Sequence, residues 1–277
     1  MADHQMLDRL GKELSASRSR GGLKRGGHGS RRGGGAGHRC GFPHKTALAA
    51  ALDVTDKDAV EGAVKLAQDR FGSIDVLVNN AGYGYRAAVE EGDDREVAAL
   101  FATNFFGTVS MIKAVLPGMR ARRSGTILNV SSIAGRLAAP GSGYYSASKF
   151  AIEGLSDALR KEVAPLGIRV TVIEPGAFRT DFAGRSLHQA SADIADYAST
   201  AGPRRKENDK THGTQAGDPE RAARALVKLV EGSTFHERPS HCHDCPGEQA
   251  RQRRLRRHQQ SARLVGRRNR RRNKPSR

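Results

Sequence analysis

The sequence predicts an α/β fold built around a doubly wound parallel sheet. Three apolar runs of strand length, residues 74–78, 126–130 and 168–173, alternate with segments in which apolar residues recur at helical spacing. Each run is followed by small or polar residues. Because ligands bind at the carboxyl ends of the strands in such sheets, the pattern predicts a binding site there.

The first predicted elements are a strand and a helix. Residues 46–54 form another apolar run, which we expect to be a strand. Thr55 and Asp58 then have the spacing of a capping box at a helix start. The helix that they open keeps its apolar residues at helical spacing as far as Phe71, and the strand 74–78 follows.

Three further helices are predicted along the chain. Residues 94–116 form an amphipathic helix, in which the mid-helix Asn104 indicates a surface position, a kink or a functional role. A second helix covers residues 144–164. Residues 178–217 are irregular and polar, as in a substrate-covering lid or a mobile surface loop. Asp218 and Pro219 then begin a last helix that ends near Glu231.

The stretch 131–149, SSIAGRLAAPGSGYYSASK, carries the chemistry of the predicted site. Tyr145 and Lys149 are four residues apart, so their side chains are neighbours on a helix. A nearby ammonium lowers a phenol pKa from its usual value of about 10, which makes Tyr145 usable as a general acid/base. Alone, such a pair is more often a surface pairing. Ser132 at a strand end, thirteen positions earlier, favours the catalytic interpretation.

Six motifs in this order resemble those of the short-chain dehydrogenase/reductase family, over about residues 46–231. They are LDVTD around Asp53, NNAG at 79–82, Asn104 in TNFFGT, NVSS ending at Ser132, YSASK at 145–149 and PGAFRT at 175–180. Each motif alone is a weak signal, but their joint order and spacing are a strong one. The resemblance implies a single Rossmann-like domain that binds NAD or NADP and transfers a hydride between this cofactor and a small-molecule carbonyl or alcohol.

The resemblance also implies roles for individual residues. Tyr145 would donate and accept the proton, Ser132 would hold the substrate oxygen, and Lys149 would lower the Tyr145 pKa and bind the nicotinamide ribose. Asn104 would complete a proton relay. The implied cofactor-binding residues are Asp53 at the adenine, Thr180 at the carboxamide, and Asn79, Ala81, Gly82, Tyr145, Lys149, Pro175 and Gly176. The helix that contains Tyr145 often forms a subunit interface in the family, which implies a homo-oligomer.

Both ends of the chain depart from the family pattern. Residues 1–45 carry ten Lys and Arg against three Asp and Glu, residues 232–277 carry fourteen against three, and residues 46–231 are neutral. Gly- and Arg-rich composition without apolar runs predicts disorder in residues 1–45, and the Arg-rich tail 232–277 also lacks apolar runs. The family's N-terminal β-α-β unit with its Gly-rich turn, and its last strand, are missing from these ends. We hypothesise that both ends are read out of frame or are otherwise foreign to the fold.

Two other functions are open on the sequence alone. Since the missing first strand is central in the family's sheet, the chain could be an inactive or unfolded remnant without a phosphate cradle. The basic ends could instead bind nucleic acid, which we favour less because residues 1–45 have almost no aromatic side chains.

The remaining signals concern metals and location. His241, Cys242, His243 and Cys245 lack a second ligand pair at zinc-finger spacing, so we predict no metal site. Without a secretory signal or an apolar stretch of eighteen residues, we expect a cytoplasmic protein that does not bind membranes.

Overall fold

The structure, a computed structural model, describes residues 47–211 and 213–232. The predicted Gly/Arg-rich segment 1–45, the tail beyond Gly232 and the His/Cys cluster within it lie outside the described residues. The described part of the chain forms six α-helices and five strands. In chain order these are α1 (Lys57–Phe71), β1 (Val76–Asn79), β2 (Gly84–Arg86), α2 (Asp94–Phe101), α3 (Thr108–Arg122), β3 (Gly125–Val130), α4 (Gly143–Val163), β4 (Ile168–Ile173), β5 (Leu187–Gln189), α5 (Gly202–Thr211) and α6 (Pro219–Glu231).

The three predicted strands pair in one parallel sheet, in the order β1-β3-β4. Leu77 lies opposite Ile127, and Ile127 lies opposite Val170, so this register gives a continuous row of apolar side chains. Since the strands are parallel, their carboxyl ends lie side by side. The prediction of a parallel sheet is confirmed for these strands.

Helices cover both faces of this sheet. Leu77 and Val78 are consecutive in β1, so their side chains point to opposite faces. Leu77 packs in a cluster with buried residues of α1, α3 and α4. Val78 packs against Ala223 and Leu226 of α6. The sheet is therefore doubly wound, as predicted.

The predicted first strand, residues 46–54, is wrong. Its described part, from residue 47, has no strand, and Leu48 and Leu52 are each 41% exposed. A strand needs a neighbour that satisfies its backbone N–H and C=O groups. In the family that neighbour is the central first strand, and no described strand occupies its position beside β1.

The predicted capping box of Thr55 and Asp58 is also wrong. Asp56 is the N-cap of α1, and its carboxylate accepts the N–H groups of Asp58 at 2.9 Å and Ala59 at 3.2 Å. Thr55 instead donates its N–H and its hydroxyl to the Asp53 carboxylate, at 2.9 and 2.8 Å. The Asp53 side chain thus forms a local turn with Thr55 that competes with the predicted cap.

The predicted helix 94–116 is interrupted at its centre. α2 ends at Phe101, the π-helical segment Ala102–Gly107 follows, and α3 continues to Arg122. Asn104 lies in the π-helical segment and is 1% exposed, so it is not a surface residue. π-helical turns inside α-helices are frequent at functional sites, which fits the predicted kink or functional position.

The run Asp94–Arg122 is long and apolar enough, by length and composition, to cross a membrane. The expectation that no such stretch exists is therefore wrong. Within this run Ile112, Val115 and Met119 pack in the core cluster on the sheet, as in a helix of a globular domain.

The predicted irregular segment 178–217 contains regular elements. β5 pairs in parallel with β2, with Gly84 opposite Leu187, and α5 follows. The last helix, α6, begins as predicted: Pro219 is in its first turn, and the Asp218 carboxylate accepts the N–H groups of Glu220 and Arg221.

Candidate active site

Tyr145 and Lys149 lie in the first two turns of α4, as predicted. The turn before the helix places Gly141 in the left-handed region, at φ 72°. The Ser142 carbonyl then accepts the Ser146 N–H at 2.9 Å, which starts the helix. Tyr145 is 8% exposed and Lys149 is 5% exposed. α4 therefore presents the phenol and the ammonium on its buried face.

Ser132 lies just beyond β3, where the chain turns into a short 3₁₀ segment, Ile133–Gly135. Its Oγ accepts the N–H of Ala134 at 3.1 Å, which fixes the side chain. The hydroxyl groups of Ser132 and Tyr145 also share a hydrogen bond. The structure thus brings together the two hydroxyls that the sequence predicts to be catalytic.

The Lys149 ammonium is buried beside this pair. Its Nζ donates a hydrogen bond to the Val130 carbonyl at 2.9 Å and lies 5.8 Å from the centroid of the Tyr145 ring. Burial lowers the pKa of Lys149 from 10.5 to about 8, because the charged form loses its hydration. The side chain is therefore mostly protonated at neutral pH.

The expected lowering of the Tyr145 pKa by Lys149 is wrong for this structure. Burial raises the pKa of Tyr145 above its usual value of 10, while the hydrogen bond from Ser132 and the positive charge of Arg86 act in the opposite direction. Arg86 is the last residue of β2 and is 8% exposed. A second buried cation, which the sequence reasoning missed, therefore lies near the phenol.

Asn104 holds the loop after β1 against α4. Its Oδ1 accepts the N–H of Tyr83 and its Nδ2 donates to the Tyr83 carbonyl, both at 3.0 Å. Nδ2 also donates to Ser148 Oγ at 3.1 Å. Gly82 passes so close that a Cβ on it would lie 3.0 Å from Asn104 Oδ1 and 3.5 Å from Lys149 Nζ. The structure therefore places Gly82 and Asn104 beside Lys149.

Asn79 belongs to a layer beneath the site. Its Nδ2 donates to Asn129 Oδ1 at 2.8 Å, and Asn129 Nδ2 donates to Ser156 Oγ at 2.9 Å. All three side chains are buried. This chain of hydrogen bonds joins β1, β3 and α4 at the strand ends.

The other predicted cofactor-binding residues are spread along the strand ends. The Pro175 carbonyl accepts the Ile133 N–H at 3.2 Å, which places the turn at Pro175 and Gly176 beside Ser132. Thr180 is buried and caps the next 3₁₀ segment, and Ala81 is half-buried next to Gly82. Asp53 is exposed, and none of the described contacts joins it to the cluster around Tyr145.

Residues 178–206, which we name the lid, pack over the site. The ring centroid of Phe182 lies 5.7 Å from that of Tyr145. The lid is fastened through Glu91, whose buried carboxylate accepts the N–H of Ile194 at 2.9 Å and a hydrogen bond from the Arg205 guanidinium at 2.5 Å. The predicted substrate-covering segment therefore has specific contacts with the rest of the domain.

Comparison with known proteins identifies the family of this domain. A model of the short chain dehydrogenase family matches residues 38–191, which is more than half of the chain. The chain belongs to the short-chain dehydrogenase family. The prediction from the six motifs is thus confirmed, and the match begins at residue 38, before the first of them at Leu52.

Named relatives of this short-chain dehydrogenase are oxidoreductases. Oxidoreductase BOA17 of Botryotinia fuckeliana is 41% identical over 189 residues, which cover 68% of this chain and 69% of the relative. A 3-ketodihydrosphingosine reductase of Bacteroides thetaiotaomicron is 47% identical over 148 residues, covering 53% of this chain and 55% of the relative. The chain thus spans little more than half of the second relative.

Solved structures support the same fold. A short-chain dehydrogenase from Streptomyces avermitilis is 37% identical and has a TM-score of 0.66, over 79% of this chain and 77% of that one. ElxO with bound NADP is 27% identical, with a TM-score of 0.53 over 67% of this chain and 71% of that one. The family and these structures support NAD or NADP as the cofactor, as predicted.

The described residues fit the nicotinamide end of such a cofactor. At Gly82 the backbone lies beside the Lys149 ammonium with no side chain between them. A Cβ built on Gly176 would lie 3.4 Å from Ile133 Cδ1, its one neighbour there among the described residues. Small residues at strand ends permit this close approach of a ligand to the backbone. Lys149 and Thr180 would hold the cofactor there as hydrogen-bond donors.

Sequence reasoning missed four residues that shape the site. Arg86 could have been found as the single charge in the otherwise apolar stretch YRAA, where a charged side chain asks for a partner. Asn129 had a similar signal, because it is a polar residue inside the strand run 126–130. Ser148 and Glu91 carry no such signal, since their importance comes from contacts that are distant in sequence.

Proposed function

We propose that this chain is a nicotinamide-dependent oxidoreductase that interconverts a carbonyl and an alcohol, with Tyr145 as its proton donor and acceptor. The observation that carries the proposal is the hydrogen bond between the buried Tyr145 and the half-buried Ser132, with Lys149 one helical turn further along α4. The 3-ketodihydrosphingosine reductase among its relatives supports ketone reduction as one direction of the reaction.

In this proposal each side chain acts on the substrate oxygen or on its neighbour. A bound nicotinamide cofactor supplies or accepts the hydride. Ser132 donates a hydrogen bond to the substrate carbonyl oxygen, and Tyr145 gives this oxygen its proton as the alcohol forms. Arg86 stabilises the phenolate that Tyr145 leaves behind, against the burial that raises its pKa. Asn104 positions the loop beside Lys149, which supports its part in the predicted relay.

Replacing the Tyr145 hydroxyl tests this assignment. Tyr145→Phe should reduce kcat by at least about a thousandfold and leave cofactor affinity within about twofold, because it removes the transferred proton alone. Tyr144→Phe is the matched control, since it removes the neighbouring hydroxyl, which donates to the Val89 carbonyl at 2.6 Å. Turnover of Tyr145→Phe within tenfold of the parent would show that the proton comes from another group.

The competing hypothesis is that this chain is an inactive remnant. Titration of NADH and NADPH, followed by nicotinamide fluorescence, separates the enzyme from the remnant, because a remnant without a phosphate cradle would not bind the cofactor. The chain has no Trp that could contribute to the signal. We expect saturable binding of the cofactor. Failure to bind either cofactor at millimolar concentration would favour the remnant. Binding of nucleic acid with a steep salt dependence would favour the alternative of a nucleic-acid-binding protein.

We also propose that the chain forms a homo-oligomer through helix faces next to the site. Phe106 and Phe150 are 59% and 46% exposed, which is unusual for large aromatic side chains on one small domain. Light scattering after gel filtration should give a mass above the monomer, and Phe150→Glu should shift it to the monomer. A monomeric parent would contradict this proposal.

A further inference from the structure

Arg179, at the start of the lid, donates hydrogen bonds to three successive carbonyl groups just before α6. Its side-chain Nη1 donates to the carbonyls of Gln215 and Ala216, at 2.8 and 3.1 Å. Its backbone N–H donates to the Gly217 carbonyl at 3.0 Å, and the Gly217 N–H donates to the Ala177 carbonyl at 3.1 Å. We name these four hydrogen bonds the clamp. They fasten the start of the lid to a part of the chain nearly forty residues further on.

The residues on the other side of the clamp are held by the core. Asp218 follows them directly and caps α6 by accepting two N–H groups of its first turn. The Asp218 carboxylate also lies 4.0 Å from Arg179 Nη2. α6 itself packs through Ala223 and Leu226 in a cluster with side chains of β1 and β4. The clamp therefore joins the start of the lid to an element with a fixed place on the sheet.

Little else fixes the stretch between β4 and Thr180. It contains no helix or strand, and Gly176 and Ala177 within it are exposed. Among the described residues, every hydrogen bond that joins residues 176–180 to positions more than five residues away goes to residues 215–217. The position of Thr180 therefore depends on the clamp.

Thr180 connects the clamp to the reaction centre. Its backbone is extended, with φ −136° and ψ 172°, so its side chain points away from that of Arg179 and is buried. Its Oγ1 accepts the Phe182 N–H at 3.3 Å, and the Phe182 ring lies over the Tyr145 ring. Thr180 is also one of the two donors that fit the nicotinamide end of the cofactor. A displacement at Arg179 would therefore reach the groups that face the cofactor.

We propose that Arg179 is a positioning residue, which holds Thr180 in place for the nicotinamide end of the cofactor. This inference rests on the proposed oxidoreductase function, since that function requires the cofactor, and it adds a residue that lies outside the cluster at Tyr145. The Arg179 side chain is 43% exposed, so it supports little of the core. Its loss should therefore reduce cofactor affinity much more than it reduces stability.

The test measures the affinity of the full chain for NADH and NADPH by fluorescence titration. Arg179→Gln should weaken binding of the preferred cofactor at least about fivefold, because it removes the charged donor of two clamp bonds. It should lower Tm by less than about 3 °C. Arg224→Gln is the matched control and should keep the affinity within about twofold. Arg224 is a cation of α6 with 45% exposure, it is paired with Glu220, and its charge also acts on Asp218.

A double-variant cycle tests whether Arg179 acts through Thr180. Thr180→Ala removes the hydroxyl that would hold the cofactor, so in that background Arg179→Gln should change the affinity by less than about twofold. If the two losses multiplied instead, Arg179 would act independently of Thr180 and the inference would be overturned. An affinity of Arg179→Gln within twofold of the parent, or an equal loss in Arg224→Gln, would overturn it as well.

Turnover of two simple ketones, acetophenone and ethyl acetoacetate, distinguishes the clamp from the proposed function. The expected loss of affinity in Arg179→Gln without turnover by the parent would keep the clamp and reject carbonyl reduction. Turnover that Tyr145→Phe abolishes, with unchanged affinity in Arg179→Gln, would keep the function and reject the clamp. A parent that binds neither NADH nor NADPH would overturn both.

Discussion

Replacing Glu91 by Gln is expected to loosen the lid over the active site. Glu91 follows β2, and its carboxylate accepts the N–H groups of Ala88 and Ile194 and a hydrogen bond from Arg205. Ile194 and Arg205 belong to the lid. Gln keeps the size of the side chain and one acceptor oxygen, but it removes the charge that pairs with Arg205.

The size of the effect follows from burial. The Glu91 side chain is 1% exposed and that of Arg205 is 14% exposed. Removing one partner of a fully buried ion pair costs about 3–5 kcal/mol. Because Arg205 keeps some contact with water and Gln still accepts one N–H, we expect a loss of about 2–3 kcal/mol in the free energy of unfolding. In a domain of this size the loss corresponds to a decrease of roughly 4–12 °C in Tm.

The pH dependence has a definite sign. The N–H groups of Ile194 and Ala88, together with Arg205, hold the pKa of Glu91 below its usual value of 4.5, although burial acts in the other direction. A carboxyl group of this kind contributes stability above its unfolded pKa and loses that contribution as the pH falls through its folded pKa. The difference in stability between parent and Glu91→Gln should therefore be complete at pH 7 and should shrink below about pH 4.

Urea unfolding measures the free energy of unfolding, and limited trypsin digestion reports how loosely the lid is held. Glu90→Gln is the matched control for both assays. Glu90 is exposed and accepts only the Tyr197 hydroxyl among the described residues, at 2.6 Å, so its loss should cost less than about 1 kcal/mol. Trypsin should cleave at lid arginines such as Arg185 faster in Glu91→Gln than in the control. Equal loss of stability in the two variants, with equal cleavage rates, would refute the role of the Glu91–Arg205 pair.

Three further predictions concern the strand ends. Lys149→Met should abolish turnover but stabilise the fold by about 1–2 kcal/mol at pH 7, because burial penalises the ammonium. Melts should show this gain shrinking from pH 8 to 10.5, where the unfolded lysine also becomes neutral. Asn129→Ala should cost about 2–3 kcal/mol in urea unfolding, because it leaves the side chains of Asn79 and Ser156 without their partner, and a loss below about 0.5 kcal/mol would contradict this. Gly82→Ala should weaken cofactor binding about tenfold in the fluorescence titration and also lower Tm, since its Cβ would lie 3.0 Å from Oδ1 of the buried Asn104, which would have to shift.

Local signals in the sequence were sufficient for much of the fold and of the site. The helix that carries Tyr145 and Lys149, the strand before Ser132 and the start of α6 at Asp218 all depend on residues within a few positions of one another. For such elements, apolar spacing and capping side chains are the main determinants. Their prediction was therefore accurate to within about two residues.

What the sequence did not predict depends on partners that are distant along the chain. Residues 46–54 have the composition of a strand, but a strand forms only where a neighbour can pair with it. Arg205 lies 114 residues from Glu91, and no spacing rule connects them. The Tyr145 pKa was predicted from Lys149 alone, whereas burial raises this pKa and the cation that opposes burial is Arg86, from another element.

The π-helical segment between α2 and α3 holds one more residue than a regular α-helical turn would. Successive residues of an α-helix are rotated by about 100° about its axis, and a π-helical turn contains one residue more than an α-helical one. Because the wider turn takes up this extra residue, α3 keeps nearly the phase that an uninterrupted helix would give it, and Leu100 and the stripe of Ile112, Val115 and Met119 are all buried. Deleting one residue from Ala102–Gly107 would therefore let α-helical hydrogen bonding resume without turning either helix away from the core. The effect of the extra residue is confined to the segment itself, where Asn104 bonds the loop after β1.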